Sequence, residues 1–324
     1  MGDQEIERGA AFIIQHCMRV RPGEEVLIVS DDRPPQLRIA GAMRQAAEAL
    51  GARASIGMMT PLKIAGDEPP RAIAGAMKHA DAIAVVVERV SLGHTRARVE
   101  ANAAGARVFT MPEVTEEDLT RQLRPEDLEQ IRACSEEWAD RFTRAKAVRA
   151  TTKAGTDLTL CIEGRNGFPL HPIGQALSTV PDFGETFVPP LEGTARGRLV
   201  IDVTMVGWKK VLREPLVLRV QEGRVTEITG DSEDAERLRK ILATDAGAST
   251  IAEFAIGTSH TIPRCHRGTL WDAGILGHLH IGIGRNIEIG GRSDSRIHID
   301  GVMKEGTIFL DGVCVLRDGL GIQG

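Results

Sequence analysis

A short glycine-rich stretch near the end of the chain carries the side chains best suited to chemistry. His278, His280 and His298 are three of the nine histidines, and Asp300 follows His298 by two positions. Side chains two positions apart on a β-strand point to the same face, so His278 would share a face with His280, and His298 with Asp300. Any one of these histidines could simply be held by hydrogen bonds. An imidazole and a carboxylate aimed at one point suit a divalent metal, and the cluster therefore predicts a metal site.

Two glutamates and an arginine are further candidates in the second half of the chain. Glu253 stands alone in the apolar run Ile251–Gly257. Burying an unpaired carboxylate costs free energy, so Glu253 requires a cation, a partner or a surface position. Glu185 is either a donor at the mouth of a strand or an ordinary loop carboxylate. Arg285 either binds a substrate carboxylate through two of its nitrogens or lies on the surface.

Strand and helix patterns alternate through the first half of the chain. The predicted strands, each separated from the next by a helical pattern, are Glu25–Val29, Ala52–Met58, Ala82–Val87 and Arg107–Met111. This alternation predicts a doubly wound parallel sheet. The first strand is not followed by Gly-x-Gly-x-x-Gly, so the sequence does not support dinucleotide binding.

The character of the chain changes after residue 147. Strand and turn patterns then dominate to the end, interrupted by one helical pattern near Ser232–Ala243. We therefore expect an α/β protein of two domains: a Rossmann-like domain over residues 1–147 and a strand-rich α+β domain over residues 148–324. All the strong donor candidates lie in the second domain. The first domain is expected to shape the site and any oligomer rather than to perform chemistry.

The composition excludes several classes of protein. A net charge of −5 without a long basic block argues against nucleic acid as a partner. Five scattered cysteines without a Cys-x-x-Cys pattern suit free thiols in a reducing compartment. The N-terminal segment is charged and amphipathic rather than signal-like, and no apolar run is long enough to span a membrane. These features predict a cytoplasmic protein without a membrane partner.

The order of these segments resembles the thermophilic aminopeptidase T family of metallopeptidases. The matching segments are the strand–helix half, Gly155–Leu158, Gly184–Glu185, Ala252–Gly257 and His280–Gly284. The resemblance implies one or two divalent ions (zinc, manganese, cobalt or iron) per chain, and self-association into a homo-oligomer. It also implies five metal ligands, which are Glu185, Glu253, His280, His298 and Asp300. That family uses a tyrosine at its metal site, and this chain contains no tyrosine.

The chain is also similar to the dihydroxypyridine ring-cleaving dioxygenases, which hold one Fe(II) with two histidines and one carboxylate. Their His-x-Asp pair corresponds to His298 and Asp300, and their other histidine matches Glu253. They lack counterparts of Glu185 and His280. Because this chain keeps the hydrolase-like set of donors, the resemblance favours hydrolysis.

The expected function is therefore metal-dependent hydrolysis of an amide or other bond in a small-molecule or short-peptide substrate. A metal-activated water would attack the bond, and Glu253 or Glu185 would accept its proton. Arg285 is the candidate that would bind the substrate. The alternative function is a non-haem Fe(II) ring-cleaving dioxygenase of the dihydroxypyridine type. A metal-free binding module is disfavoured because the ligands are intact.

Overall fold

The structure, a computed structural model, describes residues 2–63, 67–89 and 91–321. By its internal contacts the chain divides into two compact units. The first extends to Arg132 and also includes Leu170–Asp182; the second contains Ala133–Pro169 and the chain from Phe183 onward. The boundary near residue 147 that we expected from the sequence stays a prediction. The expected boundary lies where the strand Ala147–Thr151 begins, after the helix Pro125–Arg144. The division between the compact units lies inside that helix, between Arg132 and Ala133.

Helices alternate with strands in the first half of the chain, and strands predominate in the second half. The helices are α1 (Asp3–Phe12), α2 (Pro34–Ala49), α3 (Arg71–Met77), α4 (Arg96–Ala103), α5 (Glu116–Leu119), α6 (Pro125–Arg144), α7 (Glu233–Leu242) and α8 (Trp271–Gly274). The strands of the first 170 residues are β1 (Glu25–Asp31), β2 (Arg53–Met59), β3 (Ala82–Val87), β4 (Arg107–Pro112), β5 (Ala147–Thr151), β6 (Asp157–Cys161) and β7 (Phe168–Leu170). The remaining strands are β8 (Leu177–Thr179), β9 (Glu185–Val188), β10 (Arg196–Ile201), β11 (Thr204–Met205), β12 (Leu216–Gln221), β13 (Arg224–Thr229), β14 (Ile251–Gly257), β15 (Leu279–Gly284), β16 (His298–Met303), β17 (Thr307–Leu310), β18 (Val313–Arg317) and β19 (Leu320–Gly321).

The first unit is built on a five-stranded parallel sheet in the order β2-β1-β3-β4-β8. Its central strand β3 reads Ala-Ile-Ala-Val-Val-Val and is buried at every position. A continuous apolar run of this kind is typical of a parallel strand covered on both faces. The prediction of a doubly wound parallel sheet in the first half of the chain is confirmed.

The second unit contains two sheets whose registered strand pairs are antiparallel. The larger sheet has the order β13-β12-β10-β6-β5-β17-β18-β19, and the smaller has the order β11-β16-β15-β14-β9-β7. Apolar side chains of both sheets and of α6 join one hydrophobic core, which includes Phe142, Leu160, Leu199, Phe254 and Ile281. The strand-rich second half is therefore confirmed, and it consists of two sheets that share a core.

The described helices include none that is both long enough and apolar enough to cross a lipid bilayer.

The antiparallel pairing of β6 and β10 depends on a glycine. Gly197 has φ 132°, and a Cβ at this position would lie 2.1 Å from the carbonyl oxygen of Asp157. We expect Gly197→Ala to lower the free energy of unfolding by about 1–3 kcal/mol, because it adds both backbone strain and a clash. Gly41 in α2 is the matched control, since a Cβ there meets nothing within 4 Å. Gly41→Ala should raise the free energy of unfolding by about 0.5–1 kcal/mol. Urea unfolding of the two variants measures both changes, and equal stabilities would contradict the prediction.

Candidate metal centre

One face of the smaller sheet in the second unit gathers the predicted metal ligands. Glu253 on β14 pairs in register with Gly282 on β15, and Gly282 pairs with Asp300 on β16. His280 lies two residues before Gly282, and His298 lies two residues before Asp300, so all four side chains project from the same face. Strand β9 adds its first residue, Glu185, beside the end of β14.

The opposite face of the same strands explains why the donors are held in place. The alternate residues Phe254, Ile281, Ile283 and Met303 are fully buried in the hydrophobic core of the unit. A slip of one residue in any strand would exchange these apolar side chains with charged ones. The core therefore fixes the register, and the register fixes which donors converge.

The first group of donors consists of Glu185, Glu253 and His280. The Nε2 atom of His280 lies 3.3 Å from Oε2 of Glu185 and 3.5 Å from Oε1 of Glu253. All three residues are buried. One atom from each lies within 4.8 Å of the others, so the group could hold a metal ion.

The second group shares Glu253 and adds His298 and Asp300. The Nε2 atom of His298 lies 3.1 Å from Oδ1 of Asp300 and 3.8 Å from Oε2 of Glu253. Its other nitrogen, Nδ1, donates a hydrogen bond of 2.7 Å to the backbone carbonyl of Arg285. Because a carbonyl oxygen only accepts, Nδ1 carries the proton and Nε2 can bind a metal. This arrangement is typical of histidine ligands in metalloproteins.

The electrostatics of the cluster show that it requires positive charge. Burial, reinforced by the charge of Glu253, raises the pKa of Glu185 to about 8, although His280 opposes that rise. Burial opposes protonation of His280, but Glu185 and Glu253 outweigh it and raise its pKa to about 9. Burial also opposes protonation of His298, and Asp300 and Glu253 raise its pKa to about 10. Protons on the histidines balance the carboxylates here, which is the role that a bound cation would take over.

Gly282 lies in the middle of this face, where the neighbouring donors are packed too closely for a side chain. A Cβ on Gly282 would lie 2.7 Å from Cβ of Glu253, 2.9 Å from Cε1 of His298 and 3.1 Å from Oδ1 of Asp300. Side chains do not approach each other so closely, so only glycine fits at this position. The sequence showed that glycines occur between the histidines, but it did not show which one lies among the donors.

Two other predicted residues have different surroundings from those we expected. His278 precedes β15, and its Nε2 lies 3.0 Å from Nε2 of His266, so His278 belongs to neither group of metal donors. The guanidinium of Arg285 donates to Oε1 of Glu288 from Nε at 2.8 Å and also pairs with Asp294. The contribution of Arg285 to the cluster is its backbone carbonyl, a role that a side-chain motif does not reveal.

The donor set fits a divalent metal. Imidazole nitrogens and carboxylate oxygens suit iron, zinc and manganese, and the buried carboxylates need a cation. Either group of donors, or both groups together, could supply the ligands of a metal ion.

Comparison with known proteins assigns the family. The model of the NicX family, described as 2,5-dihydroxypyridine 5,6-dioxygenase, matches residues 12–322. The chain belongs to this family. A 2,5-dihydroxypyridine 5,6-dioxygenase from Pseudomonas putida KT2440 is 26% identical over 270 residues, which cover 75% of this chain and 72% of that protein.

Two solved structures share the fold of the whole chain. The 2,5-dihydroxypyridine dioxygenase of Pseudomonas putida KT2440 has a TM-score of 0.85 and 19% identity, covering 100% of this chain and 99% of that one. Wild-type AmpT from Thermus thermophilus has a TM-score of 0.65 and 16% identity, with 99% of each chain covered. At these identities the structural likeness shows the fold alone.

The expectation of a metallohydrolase resembling aminopeptidase T is therefore wrong. The family model and the relative from Pseudomonas putida both indicate a dioxygenase. The error has a physical cause: imidazole and carboxylate donors bind metals in hydrolases and in oxygenases alike, so the types of donor do not identify the reaction. The likeness to aminopeptidase T lies in the fold.

The close packing of the donors around Gly282 leads to a prediction about metal binding. We expect Gly282→Ala to weaken Fe(II) binding by about 10- to 100-fold, because the added methyl group must displace Glu253, His298 or Asp300. Anaerobic titration of the apoprotein with Fe(II) measures the affinity. Gly41→Ala, which adds the same methyl group in α2, should bind Fe(II) as the wild type does. Unchanged affinity in the Gly282 variant would show that the donors packed around Gly282 do not hold the metal.

Proposed function

We propose that the protein is a ring-cleaving dioxygenase that uses Fe(II) to open the ring of a dihydroxylated pyridine. The reaction of the family breaks the bond between carbons 5 and 6 of 2,5-dihydroxypyridine and adds both atoms of dioxygen to the product. The observation that carries this proposal is the family match over residues 12–322. The cluster of imidazole and carboxylate donors supports it, because it supplies the ligands that such a metal prefers.

The residues that would hold iron come from the five-residue cluster, which consists of Glu185, Glu253, His280, His298 and Asp300. When bound, Fe(II) supplies the redox chemistry through which a ring with paired electrons reacts with dioxygen. The Nε2 atom of His298 and the carboxylates of Glu253 and Asp300 point towards one another and would bind the ion. The carbonyl of Arg285 keeps the ring of His298 in the orientation that binding requires.

The surroundings of the cluster would help to keep bulk water away from the reacting ring. The side chains of Glu253, His280 and His298 are at most 5% exposed, whereas that of Asp300 is 20% exposed. A buried site strengthens each electrostatic contact to a bound substrate and protects reactive species from hydrolysis.

Oxygen consumption tests this function directly. Apoprotein reconstituted with Fe(II) under nitrogen should, on exposure to air, consume one molecule of dioxygen for each molecule of 2,5-dihydroxypyridine. The absorbance of the substrate ring should disappear at the same rate. Removing the metal with a chelator should abolish uptake, and Fe(II) should restore it.

Reconstitution with Zn(II) is the matched control for that experiment. Zinc accepts the same donors but has no redox chemistry, so the zinc protein should not consume dioxygen. Equal turnover with zinc, or no uptake by the iron protein with any dihydroxypyridine isomer, would contradict the proposed function.

A further inference from the structure

The outer face of the larger sheet in the second unit carries a cluster of arginines that the proposed reaction does not use. We propose that Arg196, Arg198 and Arg219 form a binding site for a small dianion with paired terminal oxygens, which is a phosphate group or a dicarboxylate. The arginines lie on β10 and β12, near the β13 end of the sheet. None of the candidate metal donors lies on these strands.

The alternation of side chains along the strands places the three arginines on one face. Leu199 on β10 and Leu218 on β12 are buried in the hydrophobic core of the unit. Their neighbours Arg198 and Arg219 therefore point to the opposite face, where both are exposed. Arg198 pairs in register with Arg219, and Arg196 lies two residues before Arg198 on the same face. Two neighbouring strands thus present three guanidinium groups to solvent.

The register of β10 and β12 sets this face apart from an ordinary solvated one. Antiparallel sheets commonly expose a polar face, but like charges directly opposite each other on paired strands destabilise the sheet. Arg198 and Arg219 occupy such directly opposite positions. Within the described part of the chain, neither they nor Arg196 forms an ion pair. The sheet therefore maintains an unfavourable arrangement of charge that a bound anion would relieve.

The two carboxylates beside this pair do not neutralise it. Asp157 pairs in register with Arg198, but its two oxygens accept hydrogen bonds from Nε and Nη2 of Arg149, both at 2.8 Å. Glu227 pairs in register with Arg219 on the other side and forms no ion pair with the residues that the structure describes. The guanidinium groups of the cluster therefore keep donors that are available to a ligand.

The surface around the arginines is concave. A pocket of about 580 Å³ is lined by all three arginines together with residues of β12 and β13 that include Val217 and Thr229. Pockets that bind small molecules have volumes of about 300–1,000 Å³. The pocket is therefore large enough for a phosphate group or a short dicarboxylate, and guanidinium groups from two strands reach into it.

Neighbouring residues hold two of the guanidinium groups in position. With its amide in the orientation that satisfies both groups, Gln221 accepts hydrogen bonds from Nε and Nη2 of Arg219 at 3.1 and 2.9 Å. Gly155 has φ 106°, and a Cβ there would lie 3.2 Å from Nη1 of Arg198, so the guanidinium of Arg198 lies against this turn. Groups that are already positioned lose less conformational entropy when a ligand binds.

The chemistry of the guanidinium group identifies the class of ligand. Its planar fork donates two parallel hydrogen bonds to the oxygens of a carboxylate or a phosphate. Two opposed forks, at Arg198 and Arg219, favour an ion with a charge of about −2 and several terminal oxygens over chloride. Because the arginines are exposed, salt should screen the attraction, so binding is best measured at low ionic strength.

Calorimetric titration of the full chain with inorganic phosphate and, separately, with succinate tests the site. The wild type should bind one anion per chain with a dissociation constant of about 1 mM or lower at low ionic strength. Chloride at the same ionic strength should give no binding signal. The anion that binds more tightly shows whether the pocket prefers a phosphate group or a dicarboxylate.

Three variants locate the bound anion. Arg198→Gln and Arg219→Gln should each weaken binding by about 10- to 100-fold, as the loss of hydrogen bonds to a charged group predicts. Arg317→Gln is the matched control, because Arg317 is an exposed arginine without an ion pair on β18, near the opposite end of the same sheet. This variant should bind the anion as the wild type does.

A second measurement has the opposite sign from the loss of an ordinary structural contact. In buffer of low ionic strength without either anion, Arg198→Gln should unfold at a higher urea concentration than the wild type, because the repulsion from Arg219 is removed. Added anion should raise the midpoint of the wild type, since it binds the folded state, and should raise that of Arg198→Gln much less. Arg317→Gln should respond to the anion as the wild type does.

Three results would overturn the proposed site. The first is that the wild type binds neither phosphate nor succinate. The second is that Arg198→Gln and Arg219→Gln keep the wild-type affinity, which would place the bound anion elsewhere on the chain, for example at the metal centre. The third is that Arg198→Gln lowers the urea midpoint in the absence of both anions, which would show that this arginine stabilises the sheet by itself.

Discussion

The constraint on which the second unit depends is the placement of two buried carboxylates, Glu185 and Glu253, and a partly exposed one, Asp300, beside two imidazoles on one face of a sheet. Carboxylates lose the solvation of water when they are buried, and only positive charge close by compensates for that loss. The neighbouring carboxylates raise the pKa values of His280 and His298, so protons on these imidazoles can supply part of this charge. A divalent cation supplies it more directly. The same charge balance that makes the face costly to fold therefore suits it to bind a metal.

Successive side chains on a β-strand point to opposite faces, so the same strands can carry the polar face and pack the hydrophobic core. On β15, His280 and Gly282 lie on the face that carries the donors, whereas Ile281 and Ile283 lie in the hydrophobic core. Antiparallel pairing then places residues from distant parts of the sequence, such as Glu253 and Asp300, on either side of Gly282. A glycine at the centre is the consequence, because the donors occupy the volume that a side chain would fill.

The likeness of one fold to both a dioxygenase and an aminopeptidase shows what a shared framework does and does not specify. The whole chain superimposes on proteins of both kinds, with TM-scores of 0.85 and 0.65. In this chain the framework carries imidazoles and carboxylates on one face, which are donor types that divalent ions accept. The reaction depends on which donors bind, how many positions of the metal stay open and which metal is taken up. Two metal sites can differ in these properties even when their ligands are of the same residue types.

The sequence by itself determined the strand–helix order of the first half, the strand-rich second half and the candidate ligands. These follow from local patterns: the His298-x-Asp300 spacing sets a common face, and the lone Glu253 in an apolar run signals a buried charge. Only the tertiary structure decided that Gly282 lies among the donors, that His278 pairs with His266, and that the carbonyl of Arg285 orients His298. These contacts depend on strand register and on loops between distant segments. Periodicity tells which face a side chain takes, but only the packing of the core determines which strands bring their faces together.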